Sequence, residues 1–365
     1  MARPHVRLSE RRARLARAAG RSGGTGTPGA PSAIVQIGFW ISSEEHGPLE
    51  IVRAAQRAEQ AGFPYVQLSD HFHPWIDRQG QSPFVWSVIG GIAATTKLTV
   101  GTGVTCPLIR THPAIVAQAA ATSSVMLDGR FFLGVGTGEN LNEHVVGRGW
   151  PPLATRREML EEAIEVLRLL FRGGEQSYRG TYFTVENARL YTLGETPPPI
   201  YVAAGGPKMA RIAGRIADGL ISTNPNREIV AAYDGAGGAG KPRYIEVQVC
   251  WGRDAATARK LVHELWPTSA LGGQLAQEIR RPADFEAAVE PVTIEQSTKH
   301  AAVGPDPEPY LRAIQKCIDA GFDHIGLHQV GPDQNGFIDF WKKELRPAVE
   351  RQMKEGAARA ASPAR

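Results

Sequence analysis

Cysteine is scarce in this 365-residue chain: Cys106, Cys250 and Cys317 stand far apart, with no C-x-x-C spacing. An odd number of scattered thiols argues against a disulfide framework and against a cysteine-ligated zinc site, and a reducing cytoplasm is the expected location. Long apolar runs are missing as well. No window of about 18 apolar residues occurs, so no membrane span is expected. The chain also lacks a basic stripe with interleaved aromatics, which leaves nucleic acid out of the expected partners. Its formal charge of +4 is uneven, because residues 1 to 32 hold seven arginines and one glutamate, a net +6, leaving −2 for everything after them. That arginine-rich segment has no apolar stretch of the kind a secretory signal needs. It reads as a disordered basic extension, with a short basic helix between Ser9 and Ala19 and a Gly/Ser/Pro linker behind it.

Apolar material is ample, at 42% hydrophobic against 21% charged residues, enough for one large core. From residue 34 onward, short apolar runs alternate with stretches of 3.6-residue periodicity, the pattern of parallel strands covered by helices. Eight strands are expected: Val35 to Ile41, Tyr65 to Ser69, Leu98 to Thr105, Phe131 to Val135, Ile200 to Ala204, Gly219 to Thr223, Tyr244 to Trp251 and His324 to His328. Helices start at Pro48, with Gly62 closing the first, and at Pro113. A third covers "TRREMLEEAIEVLRLLF", where Thr155 and Glu158 have capping-box spacing and Leu160, Ile164, Leu167 and Phe171 make one apolar face. Eight strand–helix units favour an α/β fold of the (β/α)8 TIM-barrel type over an open doubly wound sheet. The barrel is expected over residues 33–350, with a flexible tail over 351–365. Two stretches break the rhythm, 172 to 199 and 266 to 305, and both are expected as insertions at the C-terminal mouth.

In such a barrel the chemistry sits at the C-terminal ends of the strands. The second strand is followed by "SDHFHPW", which contains Asp70, His71, His73 and Trp75. The third ends in Gly101-Thr102-Gly103, the fourth in "GTGENLNE" and the fifth in Gly205-Gly206. Glycine-rich strand ends leading into helices bring backbone N–H groups close to an anion, which suits a phosphate-bearing cofactor, although glycines also simply make tight turns. "GVGTGEN" is not the dinucleotide fingerprint, because the third glycine is missing. His71 and His73 have H-x-H spacing, yet the later strand ends bring no matching set of ligands beyond His328, and no metal is expected.

Together "SDHFHPW", "GTGVTCPLIRTHPAIVAQAAAT", "GRFFLGVGTGENLNEHVVG", "ARLYT", "PPIYVAAGGPKMARIAGRIADGLIST" and "HQVGPDQNGFIDFWKKEL" resemble the luciferase-like flavin and deazaflavin oxidoreductases. The group they resemble within that family is the one typified by coenzyme F420-dependent glucose-6-phosphate dehydrogenase, F420 being a 5-deazaflavin. The likeness runs in order over about residues 34 to 350. It implies a homodimeric barrel with the deazaflavin at the mouth. Asp70 would contact the ring system and Trp75 would stand beside it where substrate sits. Gly103 and Val104 would form a cis peptide behind the ring, Thr137, Gly138, Gly205 and Gly206 would hold the phosphate tail, and Asn142 would bond near the ring. His71, Glu139 and Glu44 would be catalytic, with either His71 or Glu139 as the base for an alcohol, hemiacetal or carbonyl substrate. In that family sugar-phosphate members hold phosphate with two lysines and an arginine; here those positions are Asn226, Ala276 and His300, with Arg227, Arg280 and Arg281 beside them. Losing charge-assisted contacts worth roughly 1.5 to 3 kcal/mol each points away from glucose-6-phosphate and toward an uncharged substrate. An FMN-linked monooxygenase on the same barrel and a non-catalytic deazaflavin-binding protein are the other two readings.

Overall fold

The computed structural model describes residues 35 to 361. At its centre is a closed ring of eight parallel strands: β1 Gln36–Ile41, β2 Tyr65–Leu68, β3 Thr99–Thr102, β4 Phe131–Val135, β5 Ile200–Ala203, β6 Gly219–Ser222, β7 Arg243–Cys250 and β8 His324–Gln329. Each pairs with its successor, and β8 returns to β1 with Gln36 opposite His324 and Trp40 opposite His328. The result is the (β/α)8 barrel that the alternation of strands and helices predicts. β3 ends at Thr102, short of the expected Thr105, where the Gly103–Val104 peptide is cis.

Strands buried on both faces need different side chains inside and outside the ring. Inside, Tyr65, Phe132, Tyr201 and Tyr244 gather with Trp40 and Ile221. Phe132 lies 4.9 Å from Tyr201 and 4.8 Å from Tyr244 between ring centroids. Four aromatic rings fit in one layer because glycines stand across from them: a Cβ at Gly38 or Gly101 would overlap the rings of Tyr65 or Phe132. This plug fills the N-terminal half of the barrel. Above it the inward positions turn polar, with Ser42, Ser69, Glu246, Gln248 and His328.

Outside, the helices begin largely where the sequence predicts. Pro48–Gln60 starts at its proline and is followed by Gly62 at φ +83°, a left-handed turn that favours glycine. The helix over "TRREMLEEAIEVLRLLF" is Leu153–Leu170, so Thr155 lies inside it and the expected capping box does not form. Pro152, with φ −55° and ψ 150°, holds the chain extended up to the start of that helix. Glu158, freed from capping, accepts a 2.6 Å hydrogen bond from the Tyr182 hydroxyl. The apolar face expected there, from Leu160 to Phe171, is buried.

Of the two insertions only the second lies over the mouth. The first joins a helix to the start of β5, the end of the barrel opposite the mouth. Its hairpin, Gln176–Arg179 paired with Thr184–Ala188, runs along the outside of Leu153–Leu170, where Glu162 accepts the backbone N–H groups of Thr181, Tyr182 and Phe183. The second insertion follows the helix Ala255–Leu265 and returns at Ala302–Val303, which pairs with Val249 and Cys250 at the C-terminal end of β7. The stretch expected as a flexible tail from residue 351 is helical as far as Ala361, within Arg346–Ala361. The basic extension of residues 1 to 32 lies outside the described residues.

Candidate active site

The loop after β1 places two consecutive glutamates at the mouth, each facing a different imidazole. Glu44 is buried; its Oε2 accepts hydrogen bonds from the hydroxyls of Ser42 (2.8 Å) and Ser69 (2.6 Å), while its Oε1 lies 3.3 Å from Nε2 of His71. Burial by itself would raise the pKa of this carboxyl, but His71 and the two serines outweigh it and hold the pKa below the ordinary value. The other nitrogen of His71, Nδ1, donates to the His73 carbonyl at 3.2 Å, which turns Nε2 toward Glu44. The His73 ring is directed elsewhere, with Nδ1 2.9 Å from the Leu141 carbonyl. The two histidines of the H-x-H pair thus serve separate partners.

Asn142 ties the β4 loop to this group. Its Oδ1 accepts from the backbone of Phe72 (2.9 Å) and His73 (3.2 Å), and its Nδ2 reaches Glu139 at 3.5 Å. Glu139 therefore joins the His71 loop through Asn142, at the N-terminus of the short helix Asn140–Glu143. Trp75, with its ring centre 5.0 Å from that of His71, meets Phe285 edge-on at 5.2 Å, and Leu271, Ala276 and Ile279 of the second insertion pack against the same apolar cluster of Ile76, Leu141 and Phe285.

Asp70 is buried and bound on both oxygens, to Thr105 Oγ1 at 2.7 Å and to Arg110 Nη2 at 2.8 Å. Arg110 in turn donates its backbone N–H to Glu143 at 2.7 Å. Glu143 has no exposed surface, and burial, opposed by Arg110 and reinforced by the charge of Glu139, pushes its pKa up to about 7. A second cluster surrounds Glu45, whose Oε1 accepts from Trp266 Nε1 at 2.7 Å and lies 3.3 Å from His328 Nε2, while its Oε2 accepts from the Gly331 N–H. His328 Nδ1 is 2.7 Å from Glu246. Arg110, Glu143, Glu45, Glu246 and Trp266 were not among the residues the sequence singled out. Strand alternation offers a signal for Glu246 and His328, which share inward parity with Tyr244 and His324.

The cofactor positions fit an extended anionic molecule. Val104 packs on the aromatic plug beside Trp40, an apolar floor for a flat ring. A Cβ placed on Gly205 or Gly206 would meet nothing within 4 Å, so both peptides border open space. Gly206 is the N-cap of Pro207–Ile216 and provides no side-chain cap, which leaves amides of the first turn free to bind an anion. Gly138, at φ +73°, lies so close to Cys106 that a Cβ would come within 2.5 Å of its sulfur; Thr137 beside it is half-buried.

The other two expected substrate positions are Asn226, on the loop after β6, and His300, in the second insertion. Asn226 caps the helix Arg227–Tyr233, its Oδ1 accepting the Glu228 N–H at 2.8 Å. His300 is exposed; partial burial, with Lys316 and Lys299 nearby, holds its pKa below the ordinary value. Arg227 donates to the Asp319 carbonyl at 2.7 Å, and Arg281 forks onto Asp284 at 2.9 and 2.6 Å.

A closed barrel with acid–imidazole pairs gathered at its C-terminal mouth, beneath an insertion, is the arrangement of a barrel enzyme. The chain belongs to the luciferase-like monooxygenase family, which it matches over residues 32–324. It is 36% identical over 330 residues to the F420-dependent glucose-6-phosphate dehydrogenase of Nocardia farcinica (strain IFM 10152), covering 86% of this chain and 98% of that protein. The enzyme of the same description from Microbacterium testaceum (strain StLB037) is 34% identical over 331 residues, 87% of this chain and 98% of the relative. Among solved structures, an F420-dependent secondary alcohol dehydrogenase in complex with an F420-acetone adduct superposes with a TM-score of 0.80 at 30% identity, over 87% of this chain and 99% of that one.

Proposed function

We propose that the chain is a coenzyme F420-dependent oxidoreductase acting on the CH–OH group of an uncharged alcohol or hemiacetal, or on the corresponding carbonyl. Relatives of this activity that align over nearly their full length support the reaction class. The observation that carries the chemistry is the Glu44–His71 pair beside Trp75. Bound at the mouth, the deazaflavin supplies a carbon that accepts hydride. Gly205, Gly206 and the first turn of Pro207–Ile216, with Thr137 and Gly138, would hold its phosphate. Val104 would support its ring, and Asp70 and Asn142 would lie at the ring's edge.

His71 takes the hydroxyl proton at Nε2. Its contact with Glu44 is looser than the two serine bonds, so a bound hydroxyl can share it, and the ionised carboxylate then stabilises the imidazolium that forms. Ser42 and Ser69 hold Glu44 in place, and Trp75 with Ala276 shields the reacting carbon from water. Glu139, fixed through Asn142, orients the substrate from the opposite loop. The acids around the mouth, Glu44, Glu45, Glu139 and Glu246, disfavour a phosphate dianion. A cytoplasmic homodimer belongs to this reading; the exposed apolar side chains of Leu49, Phe84 and Ile115, at the starts of three helices, suit a protein partner.

Kinetics of two variants with bound F420 test the assignment. His71→Gln and Glu139→Gln should each retain cofactor affinity within about threefold and lose at least about a hundredfold in kcat, the typical worth of a positioned acid or base. Parallel loss of cofactor affinity would make the altered residue a cofactor ligand instead.

A further inference from the structure

Glu246 lies on β7 two positions beyond Tyr244, and strand alternation points it into the barrel above the aromatic plug. Its Oε1 is taken by Nδ1 of His328 at 2.7 Å, whereas its Oε2 accepts no hydrogen bond from the described residues. His328 and Glu45 are closed off, with side chains 1% and 3% exposed, but the Glu246 side chain is 19% exposed. A side chain directed into a closed barrel has only the mouth cavity to be exposed to.

The surroundings place that free oxygen under the second insertion. Gln248, the next inward residue on β7, accepts from the Ser269 hydroxyl at 3.2 Å, and Trp266 is anchored on Glu45. Glu45 is the chain neighbour of Glu44, so this cluster and the Glu44–His71 pair are both anchored on the loop after β1. The cluster's electrostatics select the ligand. His328 stands between the two carboxylates, and the second oxygen of Glu246 is left as a hydrogen-bond acceptor with no donor on it among the described residues. A phosphate is repelled there; a neutral hydroxyl donates a charge-assisted bond.

We infer that Glu246 is a specificity-determining residue whose free oxygen accepts a hydrogen bond from a second, non-reacting hydroxyl of the substrate. The preferred substrates are then neutral diols or cyclic hemiacetals carrying a neighbouring hydroxyl, ahead of simple alcohols. The inference rests on the hydride-transfer reading above.

The test uses the F420-loaded full-length protein and E246Q on matched substrates: isopropanol with propylene glycol, cyclohexanol with its vicinal diol, and the primary methyl ether of propylene glycol, which lacks the donor. The wild type should favour each diol by about tenfold in kcat/KM, the worth of one such bond. E246Q should reduce that preference to about twofold or less, mainly through KM for the diols. The methyl ether should behave as a simple alcohol on the wild type, and this arm decides the matter if E246Q does not fold. A wild type without diol preference, a preference that survives E246Q, or a methyl ether as good as the glycol overturns the inference. So does an enzyme that binds F420 but reduces it with none of these substrates, which leaves the cofactor assignment standing. An enzyme that does not bind F420 overturns the reading beneath it.

Discussion

His328 offers a quantitative check on the electrostatics of the mouth. Burial alone would push its imidazole toward neutrality, but the hydrogen bonds and charges of Glu246 and Glu45 reverse that and raise its pKa from 6.5 to about 10. Each unit corresponds to 1.36 kcal/mol, so the imidazolium contributes about 4 to 5 kcal/mol when fully charged. Because the folded-state value lies above the unfolded one, that stabilisation is complete below pH 6.5 and is lost as pH rises through about 10. Within this window the wild type should lose about 1.4 kcal/mol per pH unit more than His328→Gln does, as measured by urea unfolding across the range. At neutral pH the variant should be less stable by about 3 to 5 kcal/mol, since it leaves two carboxylates facing each other with no cation between them. Nitrogen NMR of the ring should show both nitrogens protonated well above neutrality. A ring already neutral at pH 7, or parallel stability curves for the two proteins, would refute the reasoning.

Two further outcomes follow from burial and open space. Gly205→Asp should fold with an unchanged melting temperature, because its side chain enters empty space, yet bind F420 at least about tenfold more weakly by placing a carboxylate where the phosphate belongs; unchanged affinity in an equilibrium titration would move the phosphate site elsewhere. Glu143 is held protonated in the fold up to about pH 7, so the wild type should lose stability as pH climbs from 4.5 toward that value, and Glu143→Gln should remove this component of the slope in the same unfolding assay.

The fold was legible because barrel strands are short, apolar and separated by helices of a different period, and periodicity is a local property. Local signals failed where a neighbour outside the segment decided the outcome. Thr155 and Glu158 have cap spacing, but the N-cap falls three residues earlier, at Pro152, and Glu158 bonds Tyr182 instead. The first insertion reads in sequence as one at the mouth; only chain direction shows that it leaves a helix toward a strand start, at the opposite end. At the site, His71, Glu44 and Trp75 were marked by an unusual run of residues and by family likeness. The Glu45–His328–Glu246 cluster draws its members from the loop after β1, from β7 and from β8, with Glu45 and His328 283 positions apart, so nothing local announces it. Asn226 illustrates the converse: aligned with a charged position of the family, it is occupied with capping its own helix.

The proposed reaction requires a deazaflavin at the barrel mouth with its phosphate on the bare amides near Gly205 and Gly206. Equilibrium titration of the purified chain with F420 and, separately, with FMN tests it most directly. Saturable one-to-one binding of F420 is expected, with FMN weaker by at least about tenfold. Tight binding of FMN without F420, or binding of neither, would contradict it.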